Sequence, residues 1–239
     1  MLVFLLHSMK LLFTKPIPPN PTPSKIIPII SETLYIYLIG FQTDTAHLDI
    51  DTVSKHTKQW LEKAVIGLNL CPFAKAPHVK NLVRIIVSEA RHLDGFLEDL
   101  DRELQLLGNT PASELETTLL VHPTLFPDFE TFNQMLEIAD DAVVENELEG
   151  IVQIAPFHPD FQFEGTEADD ISNYTNRSPY PTLHLIREDS IAKAAEAFPD
   201  ASAIFDRNIA LLEKMGHEGW DKLDIPRCPF PHHKPSENK

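Results

Sequence analysis

Apolar residues recur at three- and four-residue spacing from Asp51 onward, with Val53, Thr57, Trp60, Leu61, Ala64, Val65 and Leu68 marking one face of an amphipathic helix. Asp51 or Thr52 can cap its start, and Gly67 with Asn69 weakens its end before Pro72. After the loop CPFAKAPHVKN, the run LVRIIVS (Leu82 to Ser88) is β-branched and apolar on both faces, as a strand covered on two sides would be. Leu93, Phe96, Leu97, Leu100, Leu104 and Leu107 predict a helix that stops at Gly108, and ETTLLVH (Glu116 to His122) is a second strand. Asp128 caps a third helix whose inner face carries Phe129, Phe132, Met135, Leu136, Ala139 and Val143, with Gly150 after it. IVQIAPF is the third strand and TLHLIR (Thr182 to Arg187) the fourth. Helices over Ser190 to Phe198 and Ala201 to Met215 follow, parted by Pro199; from Gly216 the chain reads as irregular, with Trp220 placed to pin it to the core.

Strands alternating with helices of this length predict an α/β fold, a single domain with about four strands in a mostly parallel sheet flanked by helices. The first three strands should run parallel; the fourth follows a segment without a helix and is free to enter antiparallel. The domain is expected over residues 48–225, with a flexible tail over 226–239. Residues 1–47 differ in composition, combining the apolar run MLVFLLHSMKLLF, six prolines between Pro16 and Pro28, and IISETLYIYLIGF. The first run has no basic residue ahead of Leu2 and no small-residue cleavage site after Phe13, and the second is too short to span a bilayer, so the reading is a disordered extension.

Charge narrows the partners. The chain carries a formal charge of -16, so neither nucleic acid nor an anionic membrane surface is an expected partner, because both select clustered Lys and Arg. Two cysteines, Cys71 and Cys228, are too few for a disulfide-stapled protein and suit a reduced cytoplasmic one.

Candidate chemistry gathers in Phe157 to Glu188, where a long polar loop lies between two apolar runs. Loops of that length inside a compact domain are usually functional or disordered. Phe157, Phe161, Phe163, Tyr174 and Tyr180 give this one the aromatic anchors that disordered segments lack. The second and third strands both end in His-Pro, at His122 and His158, and proline stops each strand at the sheet rim. On parallel strands both imidazoles emerge at the carboxyl edge, where open α/β sheets bind ligands. The alternative is that each donates to a backbone carbonyl and closes its strand end.

Arg177 offers a fork suited to a carboxylate or phosphate, or else an internal salt bridge to Asp169 or Asp170. His184 should point away from Leu183 and Leu185. Cys71 sits where a helix ends, which raises a thiol's pKa, although Lys75 and His78 lie close by in sequence. A metal site could be drawn from His122, His158 and Asp169 or Glu164, or from Cys71, Cys228, His232 and His233, but no tight ligand spacing supports either and no metal ligand is assigned. No G-x-S-x-G, Walker A or G-x-G-x-x-G motif occurs, and the residues name no cofactor.

The stretches WLEKAVIGLNLCPFAKAP (Trp60 to Pro77), TLLVHP (Thr118 to Pro123), IAPFHPDFQFEGT (Ile154 to Thr166) and NYTNRSPYPTLHLIRE (Asn173 to Glu188) resemble, in order, the family called domain of unknown function 1415. The likeness runs from about Val53 to Gly219. It implies a bacterial, cytoplasmic setting and carries no mechanism, though Cys71, His122, His158, Asn173 and Arg177 fall within its signature.

Three functions from different classes follow. The first is a small-molecule enzyme with His158 as general acid or base, Asp170 or Asp169 orienting it and Cys71 nearby. Its ligand would carry an anionic group on Arg177, with His122, Asn173 and His184 as further substrate-binding residues. The second is a non-catalytic protein-binding or assembly module, and the third a metal-binding protein. Substrate and oligomeric state are not encoded in any of these patterns.

Overall fold

A computed structural model describes residues 49–197 and 201–228. The expected extension over 1–47 and most of the expected tail, 229–239, lie outside the described residues. The first helix, α1 (Ile50–Trp60), continues as a π-helical turn (Leu61–Ile66), and a short α2 (Lys75–Val79) occupies what the sequence reads as loop. There follow β1 (Val83–Val87), α3 (Leu93–Asn109), β2 (Thr117–Val121), α4 (Phe129–Glu145), β3 (Val152–Phe157), a 3-10 turn (Ile171–Thr175), β4 (Thr182–Arg187), α5 (Glu188–Ala197) and α6 (Ala201–Asp221).

Local chemistry accounts for the boundaries. Asp128 caps α4 as its sequence position implies, its carboxylate accepting from the Thr131 N–H at 2.7 Å and the Thr131 hydroxyl at 2.9 Å. Gly150 takes a positive φ of 74°, turning the chain from α4 into β3 with no Cβ to strain. The last helix runs further than its periodicity suggests, past a non-helical Gly216 to Asp221. That extension packs Trp220 edge-on against Tyr174 at 5.0 Å.

The sheet corrects the expectation of a mostly parallel one. Its strand order is β1-β2-β4-β3, with β1 and β2 paired parallel and β4 antiparallel to both neighbours. β1, β2 and β3 all point the same way, as expected. The connection through α4, however, leaves one slot beside β2, and the helix-free segment after β3 lets β4 return antiparallel into it.

Helices cover both faces. Alternation places Ile86, Leu120, Leu183, Leu185 and Ile154 on one face, where they meet Phe96, Leu100, Leu104, Phe132 and Met135 of α3 and α4. Leu119, Ile186, Ala155 and Phe157 on the other meet Trp60 and Leu61 together with Ile191, Ile204 and Leu212 of the closing helices. Among the described residues, no helix is long and apolar enough to cross a membrane.

Candidate functional site

The two histidines reach the same sheet edge, flanking the start of β4: Val121 and Phe157, the residues before them, are both register partners of Thr182. Their rings then turn inward instead of lying under the loop. His158 is 0% exposed. The Asp160 N–H donates to its Nδ1 at 3.0 Å, which leaves Nε2 as the protonated nitrogen, donating to the Phe126 carbonyl at 3.1 Å. Phe129 and Phe132 pack on the ring at 5.6 and 5.3 Å.

His122 repeats the arrangement, accepting at Nδ1 from Leu125 N–H (2.8 Å) and Thr124 N–H (3.2 Å) and donating from Nε2 to Ala90 O (2.7 Å). Burial pushes its pKa down to about 4, against a partial offset from the Ala90 carbonyl and Asp99. Both imidazoles are therefore neutral clasps that close strand ends. In place of the expected cavity shared by His122, His158 and Arg177, the two histidines pack into a buried aromatic cluster around Phe126.

The Asn173, Asn176 and Arg177 side chains bond within the loop or to the sheet, while the Tyr180 hydroxyl meets His56 Nδ1 of α1 at 2.8 Å. Asn173, fully buried, accepts at Oδ1 from Phe163 N–H (3.0 Å) and the Thr166 hydroxyl (2.9 Å) and donates from Nδ2 to Glu167 O (2.9 Å). Asn176 donates to Pro156 O at 3.2 Å. The Arg177 guanidinium donates to the Phe161 and Ala168 carbonyls and lies 4.4 Å over the Tyr174 ring, and no salt bridge to Asp169 or Asp170 forms. Asp170 caps the 3-10 turn, and the Ser172 N–H holds its carboxyl below the ordinary range. The loop is thus packed by its own side chains.

Cys71 and His184 lie on the opposite face of the sheet from those rings. Cys71 is buried in the cluster with Trp60 and Phe157, and burial pushes its thiol up. The Thr117 hydroxyl of β2 donates to Leu185 O of β4 (2.6 Å), so His184 donates from Nε2 to the Thr117 Oγ1 at 2.7 Å. Burial holds the His184 imidazole down to about 4. Its Nδ1 and the Oε1 of Gln153, on the same face of the neighbouring strand, are buried acceptors without a partner. The expected site residues are thus distributed over two faces and a loop rather than brought to one centre.

A different region is open. Between the outer edge of β1 and the flank of α3 runs a groove of about 750 Å³ lined by Arg84, Ile86, Glu89, Asp99, Arg102, Glu103 and Leu106, with Ala90 at its end. Its volume falls in the range of small-ligand sites. Two guanidinium groups face it, each fixed by a carboxylate. Arg84 donates from Nε and Nη2 to Glu103 at 2.7 and 3.0 Å, a bidentate pair whose acid is only 2% exposed. Arg102 bonds Asp99 one turn before it, and Asp99 also accepts from the Ser88 hydroxyl at 2.5 Å. Arg84 uses two of its five N–H donors on Glu103 and keeps the rest for other acceptors. No described residue forms an ion pair with Glu89.

The sequence carried a signal for this groove. Gly95, Asp99, Arg102, Leu106 and Asn109 recur at four- and three-residue spacing beside the apolar stripe of α3, and Arg84 interrupts an otherwise apolar strand. Reading only the apolar stripe leaves both unnoticed. Among the described residues, no three His, Cys, Asp or Glu side chains come together as a metal site; His232 and His233 lie outside the described residues.

Residues 52–222 match the family model described as protein of unknown function (DUF1415), and the chain belongs to that family. No curated protein and no solved structure matches it.

Proposed function

We propose that this DUF1415 protein binds an amphoteric organic ligand in the groove between β1 and α3, with a carboxylate or phosphate of the ligand on Arg84 and Arg102 and an amino or amide group near Glu89. The observation that carries the reading is the pair of guanidinium groups, each held by its own acid, facing one groove beside the carboxyl end of β1. In a chain of charge -16, an acidic ligand needs such a local pair, because the long-range field repels it. Fixing a guanidinium before binding removes part of the ordering cost, and a planar fork favours a carboxylate or phosphate over other acceptors.

In this reading His158 and Arg177 maintain the 157–181 loop and take no part in proton transfer or anion binding. An imidazole at 0% exposure, with Nδ1 accepting and Nε2 donating, offers a substrate neither a lone pair nor a proton.

The test is a titration of amide-labelled protein with amino acids, dipeptides and dicarboxylates, followed by NMR. Amide shifts are expected at 88–90 and 99–106. Arg102→Gln, an exposed position whose pair contributes under about 1 kcal/mol to stability, should weaken binding about tenfold or more with an unchanged melting temperature. Shifts confined to 157–181, or none, would remove the proposal.

A further inference from the structure

The groove shares its wall with an unpaired sheet edge. Ser88 N–H donates to Val121 O at 2.8 Å, and Leu82 O accepts from Glu116 N–H at 2.9 Å, so the backbones of Leu82 and Ser88 face β2. Strand alternation then turns the backbone N–H and C=O of Arg84 and Ile86 toward β2 and those of Val83, Ile85 and Val87 outward. Among the described residues β1 is the last strand of the sheet and no strand pairs with that outward row. In that row Val83 and Ile85 keep partial exposure, while Val87 is buried beside Val53 of α1.

Three kinds of unmet group therefore lie side by side: a row of ladder donors and acceptors, the outward donors of Arg84 and Arg102, and an apolar patch in which Leu106 is 39% exposed. A compact metabolite would engage the second and leave the other two.

We infer that the ligand of this groove is an extended peptide segment that adds as a strand to the outer edge of β1, with an acidic side chain on Arg84 and Arg102 and an aliphatic one against Leu106. This rests on the groove being the binding site and names the class of molecule that fills it. Strand addition takes affinity from main-chain hydrogen bonds and specificity from alternate side chains. Here the alternate side chains of an added strand would stand on the α3 side, toward Arg102 and Leu106, while the intervening ones point to the other face. A second copy of the chain fits less well, since pairing β1 with β1 brings together two molecules of charge -16 each.

The experiment uses the full chain and a pool of random heptapeptides, selected in solution for binding. Enriched peptides are expected to combine an acidic and an aliphatic residue two positions apart and to protect the amides of Val83, Ile85 and Val87 from hydrogen exchange. N-methylation of the selected peptide at alternate residues should lower affinity about tenfold or more, and at the intervening residues should change it little. No enrichment, enriched peptides that protect other amides, or N-methylation tolerated at every position would overturn the inference. So would slow exchange of the three edge amides in the free protein, whether a second copy or residues 1–48 of the chain covered them. Small carboxylates that shift the groove amides while peptides fail would sink the peptide alone; silence from both would sink the groove.

Discussion

At the scale of single residues, this protein uses histidine as a neutral connector. His122 and His158 sit two residues before the backbone N–H that each accepts, and each donates across to a carbonyl on a separate segment, Ala90 or Phe126. The motif His-Pro makes that geometry, because proline ends the ladder and the next N–H groups fold back onto Nδ1. A cost appears in acid. In the unfolded chain, His122 and His184 each take up a proton near pH 6.5, whereas burial keeps both unprotonated in the folded chain down to about 4. Between those values the unfolded state binds more protons, so stability is full above pH 6.5 and falls as the pH drops toward 4. The loss should approach about 3 kcal/mol for His122 and somewhat less for His184, which keeps some solvent contact. Urea unfolding at pH 7.5 and 4.5 measures that sum less an opposing gain from Asp140, whose carboxyl burial pushes up to about 6 so that the folded state takes its proton first, and NMR titration of the imidazole carbons isolates the histidine share. Midpoints near 6.5 for either ring in the folded protein would contradict the burial argument. The strand-ending histidines themselves could be read from sequence. What could not be read was the direction of each ring, because that depends on Phe126, Phe129 and Phe132 arriving from a different element.

The tie between β1 and α3 shows what a half-buried ion pair does at the level of elements. Glu103 sits among Leu100, Leu104 and Leu107 on the inner side of α3 and meets Arg84, the polar residue of β1 on that face. Arg84→Met strips the partner from a nearly inaccessible carboxylate and should cost about 1–3 kcal/mol, less than a fully buried pair because the Arg84 side chain is 40% exposed, whereas Arg84→Met together with Glu103→Met should recover most of it. Chemical denaturation of both variants decides the matter; equal loss in the two would mean that the charges contribute more than the packing. The same elements show how much the sequence discloses. Strand and helix spans follow periodicity closely, β4 to the residue, because one buried face imposes a repeat. The 157–181 loop was recognisable as ordered from its aromatics, yet Asn173, Asn176 and Arg177 look identical on paper whether their hydrogen bonds close inside the loop or wait for a ligand. Arg84 was hidden for the opposite reason: a single charge in LVRIIVS does not disturb a strand pattern.

For the whole molecule, the consequential feature is the place of β4. Two right-handed crossovers from one strand to the next of the same direction were foreseeable from the alternation of elements. The empty slot beside β2 was not, since adjacent and skipped positions have the same sequence signature. Inserting β4 there makes β2 and β4 the two interior strands and leaves β1 and β3 as edges. β3 carries Pro156, which removes a donor and blunts pairing on its side, and Asn176 also takes the Pro156 carbonyl. Among the described residues, β1 is blunted by its shortness and by Arg84. Backbone hydrogen exchange should report this asymmetry without any ligand. Amides of Leu119, Leu120, Leu183 and Leu185, interior to the sheet and covered by helices, should exchange only through global unfolding, with protection that tracks the urea-derived stability. The outward amides of Val83, Ile85 and Val87 should exchange orders of magnitude faster, while Arg84 and Ile86, bonded toward β2, lie between. A uniform rate along β1 would mean that its outer row is already paired, and the edge would then be closed to any incoming strand.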